Sequence, residues 1–170
     1  FRSPESARDF LSRRVAEFTG LLLIGFCALL AVALMTWSVQ DPSLNHATSA
    51  PTRNLLGPPG AIVADIIMQL FGLAASALLV PMACWGWRLT TLRRLEKPLL
   101  RLLFWGIGSI AITAIVALFP VTEKWPLPTG LGGVLGDAIL SLPKKFGLDG
   151  ATSQLIASIS AGAIAFLSLS

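Results

Sequence analysis

Tyrosine is absent from this chain, histidine occurs once, cysteine twice, and charged residues fill only 13% of the 170 positions. Each shortage removes a class of function. The lone His46 lies in a loop, which excludes bis-histidine haem ligation, and no Cys/His cluster offers a zinc-type ligand set. Cys27 and Cys84 fall at different depths of separate apolar runs, which predicts small apolar packing and no disulfide. The pattern G-x-x-x-x-G-K-[ST] does not occur, so these residues hold no phosphate-binding loop. Gly130-Leu131-Gly132-Gly133 imitates a dinucleotide fingerprint, but the third glycine comes one place late, at Gly136, and no strand precedes it. With no serine elbow and no paired carboxylates either, neither a catalytic site nor a cofactor is expected in this segment.

What abounds is apolar, at 54% of the residues. Four runs, at about 18–39, 61–87, 102–119 and 152–170, each approach the ~20 helical residues that cross a ~30 Å hydrocarbon core. A backbone in lipid must satisfy its own hydrogen bonds, which makes helices the expected form. The fold class predicted is therefore an all-α integral membrane domain of four transmembrane helices over 18–170, preceded by an arm at 1–17.

Orientation follows from the basic residues. Arg2, Arg8, Arg13 and Arg14 lie in the arm, and Arg88, Arg93, Arg94, Lys97 and Arg101 lie in the 88–101 connection. The links 40–60 and 120–151 hold only Arg53, Lys124, Lys144 and Lys145. The positive-inside rule then puts both termini and the 88–101 loop in the cytoplasm and the other two loops outside. Topology thus accounts for most of the net charge of +4. Anionic headgroups are a simpler partner for Arg88, Arg93, Arg94, Lys97 and Arg101 than nucleic acid is. Arg13 and Arg14 precede an apolar stretch holding Ala31-Val32-Ala33, which resembles a cleavage site. That stretch is too long for a cleaved signal, so a retained anchor is expected, with a twin-arginine export signal as the weaker rival.

Trp37, Trp85, Trp87 and Trp105 occupy the positions of interfacial belts. Asp65, in the second run, is an intramembrane carboxylate and so a candidate proton relay or ion ligand. Its place near the start of a helix, where the dipole favours an acid, makes a structural role the stronger reading. Glu17 beside Arg13 and Arg14 reads as a charge-paired helix start. Residues 40–60 carry turn chemistry that predicts an ordered loop. In 120–151, Val134, Leu135, Ala138, Ile139 and Leu142 share a face, predicting a short amphipathic outer helix before the fourth span, ended by Pro143, Lys144 and Lys145. Small residues at helical spacing, Gly72 and Ser76 in span two and Ala157, Ala161, Gly162 and Ala165 in span four, are candidates for close helix packing.

Several of these residues form an ordered set. Asp41-Pro42-Ser43 follows span one, and Asn54-x-x-Gly57-x-x-Gly60-Ala61-x-x-Ala64-Asp65 opens span two. Phe71-Gly72-Leu73-Ala74, Pro81 and Gly86-Trp87-Arg88 continue it, and Gly132-Gly133-x-x-Gly136 precedes span four. In this order, over about residues 13–170, the chain resembles the N-terminal four-span domain of the FtsK/SpoIIIE DNA translocases of bacteria. The resemblance implies a homo-oligomeric, by family hexameric, membrane anchor in the inner membrane at the division septum. There it would contact the bilayer and other division proteins. It also implies a separate cytoplasmic motor, which alone would use ATP and Mg and grip double-stranded DNA. Two other classes remain open from the residues themselves: a small ion- or proton-coupled transporter centred on Asp65, and a scaffold subunit of a membrane complex.

Overall fold

The computed structural model describes residues 4–44, 46–92 and 98–145. Among them all regular structure is helical: α1 Pro4–Met35, α2 Gly57–Phe71, a 3-10 turn Gly72–Ala75, α3 Ser76–Thr90, α4 Pro98–Ala117 and α5 Gly133–Lys145. Three stretches, Ala7–Met35, Gly57–Thr90 and Pro98–Ala117, are long and apolar enough to cross a membrane. The fourth run, with Ala157, Ala161, Gly162 and Ala165, lies outside the described residues, as do Arg93, Arg94 and Lys97.

Proline and glycine set the helix limits. Pro4 and Pro98 begin α1 and α4, where a missing N–H costs nothing and the fixed φ suits the first turn. Helix α1 therefore absorbs most of the stretch read as an arm, and it stops at Met35, short of residue 39. At the far end of α4, Leu118 N–H and Phe119 N–H donate to Ile115 O and Val116 O, a tightened last turn just before Pro120. Helix α5 runs through Pro143 to Lys145.

The second span departs from the single helix expected over 61–87. It begins earlier, at Gly57, and is interrupted at Gly72, whose φ of 57° and ψ of −139° lie in a region that glycine alone occupies readily. Leu73 N–H leaves the helical ladder and donates to Leu131 O at 2.9 Å.

Contacts on either side show that the interruption is a bend. At one end a Cβ on Gly20 would lie 2.7 Å from both Gly86 O and Thr90 N, so α1 and α3 touch backbone to backbone. Further along, Cys27 Sγ donates to Leu79 O at 3.3 Å. At the other end, Asn54 links Ala33 of α1 to the start of α2 near Gly60. Between Gly20 and Ala33 α1 covers about 20 Å at ~1.5 Å per residue, whereas Gly60 to Gly86 would cover about 39 Å if straight. Helix α2 must lean across the end of α1, and the Gly72–Ala75 turn takes up the difference.

The interior is built from small residues. Ala33, Ala61, Ala64, Ala74, Ala75, Ala111 and Ala114 are buried, whereas Leu22, Phe26, Leu29, Leu102 and Leu103 are exposed. That inversion suits a lipid solvent: tails are as apolar as leucine, so burying leucine gains little, and helices associate by close backbone approach.

Candidate functional site

The chain has two unlike ends. One, the basic end, carries the start of α1, the end of α3 and the start of α4; the other, the loop end, carries residues 36–56 and 118–132.

At the loop end two locks hold the helices. The first is made by Asp41 and Asn54, both nearly fully buried. Asp41 Oδ1 and Oδ2 accept from the backbone N–H groups of Arg53 (2.8 Å) and Asn54 (2.9 Å). Asn54 Nδ2 donates to Ala33 O at 2.8 Å, and its Oδ1 accepts from Leu56 N–H at 3.1 Å. A carbonyl in the final turns of α1, left without a helical partner there, is thus satisfied by a side chain that also orders the entry to α2. Gly57 N–H closes on Asn54 O, and Thr36 Oγ1 accepts from Leu55 N–H while donating to Val32 O. Gly60 must be glycine here, because a Cβ would sit 2.6 Å from Asn54 Oδ1 and collide with Leu56 Cβ.

The second lock is made of glycine. A Cβ on Gly72 would collide with Leu131 O, and one on Gly132 with Thr113 O. On Gly133, whose φ is 66°, a Cβ would come 2.7 Å from Gln69 O and Gly72 N; on Gly136 it would come 2.6 Å from Thr113 O. The Gly132-Gly133-x-x-Gly136 pattern therefore lets the start of α5 lie directly on the α2 bend and on α4. Thr113, fully buried at this crossing, turns its hydroxyl to Ile110 O. Gly72 packs through its backbone at a bend, not along a helix ridge, and Ser76 is exposed with its hydroxyl on Leu73 O. Of these two candidates for close helix packing, Gly72 makes a close backbone approach here, to Leu131.

Asp65 lies between the locks with 8% of its surface exposed. Its Oδ1 accepts from Trp37 Nε1 at 3.3 Å and its Oδ2 from Gln69 Nε2 at 2.7 Å. Trp37, which the sequence presents as an interfacial anchor, is thus a cross-helix donor. No group of three or more potential metal ligands occurs among the described residues.

The basic end carries fewer constraints. Arg14 pairs with Glu17 at 2.7 Å and covers the Phe10 ring at 5.2 Å. Trp85 and Trp105 meet edge to face at 6.0 Å, and Trp105 Nε1 donates to Leu78 O at 3.3 Å. Arg88 and Arg101 are half-buried. The Gly20–Gly86 crossing escaped sequence reasoning; nothing marks Gly20 apart from Gly25, which has open space around it.

Both locks lie within the stretch of the chain that matches known proteins. A family model described as "4TM region of DNA translocase FtsK/SpoIIIE" matches residues 12–170. Proteins named DNA translocase FtsK are similar to the chain: that of Bradyrhizobium diazoefficiens is 50% identical over 82% of this chain, and that of Rhizobium meliloti 45% over 81%. The Brucella melitensis protein of the same name is 40% identical over 95% of the chain. This chain spans only 17%, 16% and 20% of the length of those relatives. No solved structure matches it. With the family pattern matched across almost its whole length, this multi-pass membrane chain belongs to the family of the 4TM region of DNA translocase FtsK/SpoIIIE.

Proposed function

We propose that the chain is the membrane anchor of a cell-division DNA translocase, tethering a cytoplasmic ATP-driven motor to the septal inner membrane during chromosome segregation. One observation supports this reading: residues of the motifs on which the family resemblance rests fix helices against each other, at Asp41–Asn54 and at Gly72–Gly132–Gly133. A device that resists distortion suits a reaction point for a motor pulling on DNA. Holding motors in one membrane patch also raises their local concentration and favours a homo-oligomer, by family resemblance a hexamer. ATP, Mg and double-stranded DNA would engage the motor and not these residues. The basic end faces the cytoplasm in this reading, and the loop end offers an ordered surface to other division proteins. A transporter centred on Asp65 has less support, because Trp37 and Gln69 already occupy both carboxylate oxygens.

Residues 1–170 fused to a fluorescent protein and expressed in dividing cells would test the proposal. Accumulation at the septum, lost when the Asp41 and Gly72 locks are broken, is expected; an even distribution around the envelope would refute it.

A further inference from the structure

Helix α2 does not point along the bundle. Helices α1 and α3 run side by side and keep step: Gly20 of α1 meets Gly86 and Thr90, and Cys27, two turns on, meets Leu79, two turns back from Gly86. Heights along this pair place both ends of α2. Ala33, which holds the start of α2 through Asn54, stands about 20 Å above the Gly20 crossing at ~1.5 Å per residue. On the other helix Gly72 stands about 25 Å above the same crossing, at ~2.0 Å per residue through the 3-10 turn and ~1.5 Å along α3. An upright helix from Gly60 to Gly72 would cover about 18 Å of height. Its ends differ by only about 5 Å, so α2 lies nearly flat across the loop end.

The rest of the second run crosses without it. By the same rises Gly72–Thr90 measures about 29 Å, close to a ~30 Å hydrocarbon core, whereas one straight helix over Gly57–Thr90 would reach about 50 Å. Helix α2 therefore falls where one leaflet meets water.

The two sides of α2 are unlike. On one side Gly60 fits against Asn54, Asp65 accepts from Trp37, and Gln69 O and Gly72 N receive Gly133, so these partners come from the loop end and the start of α5. On the opposite side Val63, Ile66 and Leu70 form an exposed apolar stripe at i, i+3 and i+7. With the loops on the first side, the second turns toward the hydrocarbon. Facing water, it would leave three large apolar side chains wetted in one patch.

We propose that α2 is an interfacial helix, lying in the loop-end leaflet with Val63, Ile66 and Leu70 against the acyl chains just below the headgroups. The crossing made by this part of the chain is then Gly72–Thr90. Asp65, on the protein side of α2, sits at surface level and not in the middle of the bilayer, which takes it out of any proton path through the hydrocarbon. The proposal is independent of the anchor reading and requires only that the chain lie in a bilayer.

Nitroxide labels read the depth of each position. Cys84, the exposed native thiol, is first replaced by serine, whereas Cys27 is buried and stays. Single labels at Val63→Cys, Ile66→Cys and Leu70→Cys replace exposed side chains and leave the helix contacts intact. The protein is reconstituted in vesicles of phosphatidylcholine and phosphatidylglycerol, and collisions of each label with oxygen and with a water-soluble nickel chelate give its depth. Three lipid-exposed positions at one shallow level, within about 3 Å of each other, are expected. Leu103→Cys and Ile110→Cys, exposed on α4 at the same separation, calibrate the scale with about 10 Å between them. An equal step of about 10 Å from Val63 to Leu70 would overturn the proposal by making α2 part of the span. Frequent collision of all three labels with the nickel chelate would overturn it too, because the stripe would then face water and suit a protein partner. Shielding from both reagents would do the same, with the stripe covered by protein.

Discussion

The two ends of the molecule use polar and small residues in opposite ways. At the loop end Asp41, Asn54 and Asp65 are buried and satisfied, mostly by backbone, and four glycines bring main chains into contact. At the basic end the described arginines of α1 are exposed, Arg14 pairs with Glu17, and a glycine crossing at Gly20 and Gly86 joins α1 to α3. The lesson is that buried polarity at the loop end sets the shape of the bundle, whereas the charge of α1 at the basic end is left on the surface. A sequence rich in both invites them to be read alike.

The largest expected effect of breaking this contrast comes at Gly72. Gly72→Ala combines an unfavourable backbone region with a collision against Leu131 O, and should cost about 3 kcal/mol or more. Thermal unfolding in detergent reads this out, and an unchanged midpoint would mean that the bend is not locked by α5. Next is Asp41→Ala, which strands the N–H groups of Arg53 and Asn54. About 2–3 kcal/mol is expected, with Asp41→Asn retaining part of it. Equal stability of both variants to wild type in chemical denaturation would remove the first lock from the account.

A smaller loss, about 1 kcal/mol, should follow Trp37→Phe, which deletes one membrane-level hydrogen bond to Asp65 and keeps the ring's bulk. If Trp37 were an interfacial anchor only, its indole fluorescence would not respond to Asp65→Asn, whereas the hydrogen bond predicts a shift. The smallest effect sharpens the comparison at the basic end. Gly25→Ala meets open space and should change stability by no more than about 0.5–1 kcal/mol, in the stabilising direction because alanine favours the helix. Gly20→Ala, two turns or less away, must push against Gly86 O and Thr90 and should destabilise clearly. A matched pair of outcomes would place the α1–α3 contact elsewhere.

Runs of apolar residues and the turn-rich loops were legible in the sequence, because they are set by local chemistry, whereas the helix starts at Pro4 and Pro98 fell in stretches read as an arm and a loop. The bend was not. Residues 57–90 are apolar almost throughout, so periodicity gives no sign of a break, and Gly72 departs from the helix only because Leu131 and Gly133, some 60 positions on, meet it. Trp37 was misleading for a related reason: an aromatic at the right depth for a belt is also at the right depth to donate to Asp65. Asp41 and Asn54 stood out as residues, but their shared task depends on Asn54 reaching Ala33 O of α1 while Asp41 holds the backbone of Arg53 and Asn54.

The separation of the two locks along the chain has a consequence for synthesis. Asp41, Asn54 and Gly60 can close on Ala33 as soon as the first hairpin has entered the bilayer. The partner of Leu73 N–H, by contrast, is made about 60 residues later, a delay of roughly 3–12 s at ~5–20 residues per second. For that interval a continuous helix through Gly72, with Leu73 N–H donating to Gln69 O, is the cheaper conformation. The bend is therefore an event of late assembly, imposed on a helix that has already been inserted.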